Sequence, residues 1–153
     1  DEETGKVAVV NCWDVHDSGF VINPTLLHGQ VHGAFYMGIG ETIWEEVLFD
    51  DKGNLLNGNF SEYRLPTALD MPPVESLLLD TFEPNGPWGV KEVGEGATTP
   101  TMGCVANAIY DAMGVRVQSL PIKYEKVWRA MKEKRAKEKN KISLQKFGNG
   151  KTI

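Results

Sequence analysis

Gly86-Pro87-Trp88-Gly89-Val90-Lys91-Glu92-Val93-Gly94-Glu95-Gly96, running on into Ala97-Thr98-Thr99-Pro100, is the most informative stretch of the 153-residue chain. Glu95 stands between two glycines, so no neighbouring side chain shields its carboxylate and the backbone there can approach a ligand closely. Thr99-Pro100 reads as a helix start, with Thr at the N-cap and Pro at the first helical position. A carboxylate on a glycine loop that feeds a helix is a candidate reactive group. The same spacing equally describes a surface turn with an incidental acid.

Upstream of this loop, residues 75–82 read as a strand. Leu77, Leu78 and Leu79 in succession predict burial on both of its faces. The sequence Pro84-Asn85-Gly86-Pro87 ends it. Earlier still, Val7, Ala8, Val9 and Val10 predict a buried strand within residues 5–13, closed by Asp17-Ser18-Gly19. Asn23-Pro24 opens a helix whose small or apolar residues Leu27, Val31, Ala34, Phe35, Gly38, Ile39, Thr42 and Ile43 recur at helical steps. Gly29 and Gly33 share a face of that helix, which admits a second backbone or a flat ligand. Asp50-Asp51-Lys52-Gly53-Asn54 between residues 45–49 and 55–56 is a hairpin signal, and residues 59–64 could pair in the same sheet.

Downstream, Val105, Ala106, Ile109, Tyr110 and Met113 form a helical stripe stopped by Gly114. A brief strand is expected at residues 115–117. A last helix is expected from about Tyr124, with Val127, Trp128 and Met131 inward. Residues 132–139 have no apolar face and read as a solvated helix end with i, i+4 charge pairs. Ile142, Leu144 and Phe147 follow in polar surroundings, open to docking on a neighbouring subunit or to disorder. Strands and helices mixed in this way, with a hairpin, give an α+β class: a mixed sheet packed with helices.

Composition narrows the function classes. The chain is 41% hydrophobic and 24% charged, with a net charge of −5, which is ordinary for a globular domain and weighs against nucleic-acid binding. The basic run near the C-terminus is interrupted by acids. No apolar run is long enough for a membrane-spanning helix, and Asp1-Glu2-Glu3-Thr4 is no signal peptide. Cys12 and Cys104 are far apart and read better as two buried thiols in a reduced, cytoplasmic setting than as a disulfide, which stays open. Two cysteines cannot hold an iron–sulfur cluster, which takes about four ligands. His28 and His32 have i, i+4 spacing, but no Glu stands beside the first to make a zinc-protease motif, and no metal ligands are assigned. Walker, dinucleotide-binding and Gly-x-Ser-x-Gly patterns are all missing.

Two motifs carry a resemblance. Gly89-Val90-Lys91-Glu92-Val93-Gly94-Glu95 resembles the loop near the C-terminus of the molybdenum-binding part of the xanthine dehydrogenase and aldehyde oxidase family, where the Glu of Lys-x-x-Gly-Glu is the active-site base. The second runs from Asp14-Val15-His16-Asp17-Ser18-Gly19 through Ile22-Asn23-Pro24 to Gly29-Gln30-Val31-His32-Gly33-Ala34-Phe35. It resembles the family's Asn-Pro followed by Gly-Gln-x-x-Gly, whose Gln contacts the molybdopterin. The two motifs occur in the family's order, and the resemblance covers roughly residues 5–131.

The resemblance implies a molybdenum hydroxylase. Its reaction is oxidative hydroxylation of an N-heterocycle (purine-like) or an aldehyde, in which a Glu base activates the hydroxyl on molybdenum. Glu95 is the implied catalytic base, and Gln30, Gly29 and Gly94 the implied contacts to the molybdenum–molybdopterin cofactor. Lys91 receives no role. Residues 1–131 are expected to be the C-terminal fragment of a cofactor-binding domain, and residues 132–153 a charged helix end and tail. The remaining cofactor contacts, the iron–sulfur clusters and the FAD are expected on partner chains, so the chain should be inactive alone. One departure is Gly96, where many relatives have Pro. The rival readings are a non-catalytic structural or interaction fragment of a multi-subunit complex, and a small unrelated ligand-binding module.

Overall fold

The computed structural model describes residues 1–148, with side chains through residue 141. The chain builds strand β1 (Cys12–Asp17), helix α1 (Pro24–Ile43), strand β2 (Val74–Leu79), a 3-10 turn (Pro87–Gly89), helix α2 (Thr98–Met113) and helix α3 (Tyr124–Gly148). The two strands pair in parallel, with Cys12 opposite Val74 and Asp17 opposite Leu79. Parallel pairing needs a long crossover, and α1 supplies its core. The fold is therefore α+β with a small parallel sheet. Antiparallel pairing among the described residues is confined to isolated bridges, Phe49 with Leu55 and Gly19 with Val90.

Local chemistry sets the start of α1. The Asn23 side chain accepts a hydrogen bond from the Leu26 N–H at 3.1 Å, and Pro24 stands at the first helical position. Such a cap is worth about 1 kcal/mol. The buried face of α1 (Leu27, Val31, Ala34, Phe35, Ile39, Ile43) is the expected one. Phe35, Ile39 and Ile43 join Val105 and Ile109 of α2, Val127 and Met131 of α3, Val115 and Ile122 in one core. Each fully buried aliphatic there contributes about 1.5–3 kcal/mol. Gly38 of α1 lies against Thr101 of α2 so closely that a methyl group would come 2.7 Å from Thr101 Cβ.

Several expectations are corrected. Residues 7–10 lie outside β1, which begins at Cys12. Val7 and Val9 pack against the core without entering a strand, and Val10 is 83% exposed. β2 buries one face only: Leu78 is half-buried over α1, whereas Leu77 is 61% exposed. Residues 59–64 form turns and residues 115–117 form no strand. The hairpin exists as a tight loop, with Leu56 N–H bonded to Leu48 O and the carboxylate of Asp50 accepting from Lys52 and Asn54. Of the two thiols, Cys12 is half-buried and Cys104 exposed.

Helix α2 starts one residue before Thr99. Its N-cap is Ala97, without a side-chain bond, and it ends on Gly114 in the left-handed conformation (φ 62°) as expected. Helix α3 continues unbroken past residue 131. Its ion pairs run from Arg129 to Glu125 and from Arg135 to Glu2, and Lys134 donates to the carbonyl of Met113. The docking expected of Ile142, Leu144 and Phe147 lies outside the described side chains. Among the described residues, no helix is long and apolar enough to cross a membrane.

Candidate active site

The glutamate loop sits at the carboxyl-terminal ends of β1 and β2, the end of a parallel sheet where ligands characteristically bind. Backbone bonds fix it there. Lys91 N–H donates to Ser18 O at 2.7 Å, and Phe20 N–H donates to Gly89 O at 2.8 Å. Gly19 (φ 70°) makes this approach possible, since a Cβ on it would fall 2.2 Å from Gly89 O. The preceding turn holds Trp88 in the left-handed region (φ 55°, ψ 18°) with its side chain exposed. A non-glycine residue in that conformation stores about 1–2 kcal/mol of strain.

Beyond Lys91 the chain makes a small arc. Glu92 Oε1 accepts from the Glu95 N–H at 2.7 Å, and Glu95 O accepts from Thr98 N–H at 3.0 Å, so Glu95 stands in the turn that opens α2. Its carboxylate is exposed and makes no hydrogen bond or ion pair among the described residues. Ala97 then enters a buried cluster with Val31 and Ala34 of α1 and Leu78 of β2, and Thr98 Oγ1 donates to Ala34 O at 3.1 Å.

That cluster joins the two sequence motifs. Gln30 precedes Val31 and is exposed. Glu95 precedes Ala97 by two residues and is exposed as well. In sequence the two thus lie within two residues of one buried contact between α1 and the start of α2, and no bond joins them among the described residues. Gly29 is also exposed, and a methyl added at Gly29 or Gly33 would meet no atom within 4 Å. Gly94 lies in the exposed arc, with Glu92 Oε1 3.4 Å from where its Cβ would be. Two cavities lie elsewhere. One of about 340 Å³ is lined by Trp44, Arg64 and Lys123, and one of about 510 Å³ by Cys12, Phe35, Val105 and Met131.

Sequence reasoning missed four residues behind the loop: Asp14, His16, Asp17 and Ser18. His16 is buried with its ring against Gly96, where a Cβ would come 2.7 Å from Cε1, and its Nδ1 lies 3.9 Å from Asp14 Oδ2. His16 Nε2, Asp14 Oδ2 and Ser18 Oγ are buried without a hydrogen-bond partner among the described residues. Such orphaned polar atoms are uncommon in a finished interior. Asp17 accepts from Gly19 N–H, Thr81 Oγ1 and Lys91 Nζ, at 3.0, 2.6 and 2.8 Å. The Lys91 ammonium, then the Thr81 hydroxyl and the Gly19 amide, hold its carboxyl well below the usual carboxylate range. The only signal in the sequence was that Asp14, His16, Asp17 and Ser18 fall within the matched motif.

His28 and His32 both face Ser76. His28 Nδ1 is 2.5 Å from Ser76 Oγ and His32 Nε2 is 3.4 Å from it, so a hydroxyl occupies the space between them. No group of three or more His, Cys, Asp or Glu side chains capable of holding a metal ion occurs among the described residues.

Comparison with known proteins agrees with this architecture. A family model described as Molybdopterin cofactor-binding domain matches residues 1–72. A xanthine dehydrogenase molybdenum-binding subunit of Escherichia coli O157:H7 is 39% identical over 118 residues, 76% of this chain and 16% of the relative. The nicotine 6-hydroxylase large subunit of Paenarthrobacter nicotinovorans is 37% identical over 135 residues, 86% of this chain and 16% of the relative. Among solved structures, quinoline 2-oxidoreductase from Pseudomonas putida 86 superposes with a TM-score of 0.77 at 33% identity, over 82% of this chain and 16% of that one. A Cu,Mo-CO dehydrogenase superposes with a TM-score of 0.79 at 30% identity, over 87% of this chain and 17% of that one. The chain spans about one-sixth of the length of the curated relatives it matches. By sequence and by fold, it belongs to the molybdopterin-binding part of the xanthine dehydrogenase and aldehyde oxidase family of molybdenum hydroxylases.

Proposed function

We propose that this chain forms one wall of a molybdenum–molybdopterin site and supplies its general base, Glu95, for oxidative hydroxylation of an N-heterocycle or an aldehyde within a larger assembly. The observation that carries the reading is a carboxylate without a bonding partner among the described residues, on an arc anchored at the carboxyl ends of two parallel strands and packed through Ala97 and Thr98 on the helix that carries Gln30. The residues fit the cofactor. Gln30 offers a free amide with donors and an acceptor for a pterin or its phosphate side. Gly29 and Gly33 leave space for a flat group, and Gly94 lets the backbone come close. The orphaned polar atoms of His16, Asp14 and Ser18 support a site that awaits a further partner.

When bound, the molybdenum–molybdopterin group supplies the oxidising chemistry that side chains lack. Glu95 accepts the proton of the oxygen nucleophile, which makes that oxygen able to attack an electron-poor carbon. Its carboxylate, without a bonding partner among the described residues, is available for that proton. Residues 1–131 form the cofactor-facing unit in this reading, and residues 132–153 the charged helix end and tail.

In this reading the iron–sulfur and flavin groups are carried by partner chains; Cys12 and Cys104 are too few to ligate a cluster among these residues. The two free thiols fit a reduced, cytoplasmic setting. The relatives' printed names, which include xanthine dehydrogenase, nicotine 6-hydroxylase and aldehyde oxidoreductase, support the two substrate classes. The test is assembly. Molybdenum should co-purify with the native complex, and the chain purified alone should hold little or none, because one amide and one carboxylate cannot enclose a large anionic cofactor. Stoichiometric molybdenum on the isolated chain, or a native complex without molybdenum, would overturn the proposal.

A further inference from the structure

The carboxylate of Asp17, the last residue of β1, is where three separate segments meet. Its Oδ1 accepts from the Gly19 N–H and from Thr81 Oγ1, on the stretch that leaves β2, and its Oδ2 takes Lys91 Nζ at 2.8 Å. Backbone bonds run alongside: Lys91 N–H to Ser18 O, and Thr81 N–H to Gly19 O at 3.2 Å. From Lys91 the arc runs to Glu95, bonded internally through Glu92, and is fixed again where Ala97 and Thr98 pack on α1. Glu95 therefore hangs between two anchors. The rear one is apolar and buried. The front one is polar, and among the described residues Lys91 is the arc's own side chain in it, held by the Asp17 carboxylate that Thr81 Oγ1 also bonds.

We propose that Asp17 is a positioning residue for Glu95, acting through Lys91 to fix the front of the glutamate arc against the ends of the two strands. The proposal rests on the reading of Glu95 as the base. The role differs from general stabilisation. Both side chains of the pair are about one-third exposed, at 36% and 37%, and such a pair adds little to global stability. What it sets is where the arc stands. A shift of about 1 Å in a reacting group can cost on the order of 10²-fold in rate.

The test compares Lys91→Met, Asp17→Asn and the conservative Lys91→Arg. In the purified chain, amide hydrogen exchange at Lys91 and Glu95 should quicken about tenfold or more in the first two variants. The melting temperature should stay near that of the parent, and Lys91→Arg should restore protection because it keeps the cation. In the assembled enzyme the first two should lower kcat at unchanged molybdenum content and KM. Unchanged exchange at both amides would overturn the proposal. So would a uniform rise across α1 and α2 with a lowered melting temperature, which would mark a role in the whole fold. The exchange result stands independently of the base: near-parental turnover in Glu95→Gln would remove the base while leaving the Asp17 anchor in place.

Discussion

Alanine at positions 29 and 33 should push stability and cofactor content in opposite directions. Both glycines lie inside α1, and a methyl at either meets nothing within 4 Å. Replacing Gly by Ala in an open helix interior gains about 0.5–1 kcal/mol, so the double variant should gain about 1–2 kcal/mol. In a chain of 153 residues, each kcal/mol moves the melting temperature by roughly 2–4 °C, giving a rise of roughly 2–8 °C. Gly38→Ala is the control on the same helix. There the methyl would lie 2.7 Å from Thr101 Cβ and 3.0 Å from Cγ2, and overpacking of about 1–3 kcal/mol offsets or exceeds the propensity gain. Its melting temperature should stay level or fall. Thermal unfolding followed by circular dichroism reads all three. In the assembled enzyme, the Gly29→Ala/Gly33→Ala variant should load less molybdenum, because two methyls stand on the face the cofactor would approach. A lowered melting temperature for this double variant would show that the face is not open. A raised one with full molybdenum loading would show that the face is open and unused.

Two further outcomes follow from the perturbed side chains. Burial first, then Cys104 and Asp14, push the Cys12 thiol up to about 11, leaving only about one thiolate in a thousand at pH 8; iodoacetamide mapping should therefore label the exposed Cys104 well before Cys12, and equal labelling would contradict the burial. The Asp17 carboxyl, lowered chiefly by Lys91, binds its proton less readily folded than unfolded, so its contribution is present above the ordinary carboxylate range and is lost only as pH falls through the depressed value. In a carbon-detected NMR titration Asp17 should stay ionised down to about pH 3, and a normal midpoint would show that the bond to Lys91 does not persist in solution.

What could be read in the sequence was what short-range chemistry decides. Asn23-Pro24 and Gly114 mark helix ends because a side-chain acceptor, a fixed proline ring and a left-handed glycine act within one turn of chain. The buried stripe of α1 follows from the same short period. The strands were placed less well, because a strand is completed by a partner remote in sequence. The run Val7–Val10 has β-forming composition, yet it is the neighbouring Cys12–Asp17 that finds β2. Three consecutive leucines implied a strand covered on both sides, but Leu77 is exposed because nothing among the described residues covers that side.

At the site, Glu95, Gln30 and Gly29 stood out through motif and spacing, and the structure packs the loop that carries Glu95 on the helix that carries Gln30 and Gly29, through Ala97 on Val31 and Ala34. The supports behind them were not legible. Asp17 is 74 residues from Lys91, and His16 meets Gly96 only through the sheet. Neither pairing leaves a local trace. Glu92 looked like a bystander three residues from Glu95, yet it accepts the Glu95 amide, a bond that a glutamine in its place can still make.

The most direct measurement is turnover of the assembled enzyme carrying Glu95→Gln, with molybdenum content matched to the parent. Glutamine keeps the size of the side chain and cannot take up the proton, and the Glu95 carboxylate has no bonding partner among the described residues to lose, so folding and cofactor content should hold. Loss of a general base lowers the rate by on the order of 10²–10⁴-fold, and the upper end is expected, since this base generates the nucleophile. Glu92→Gln, measured beside it, should change the rate far less. A large loss in Glu95→Gln alone is the predicted result; turnover near that of the parent would contradict the assignment of Glu95 and the proposed function with it.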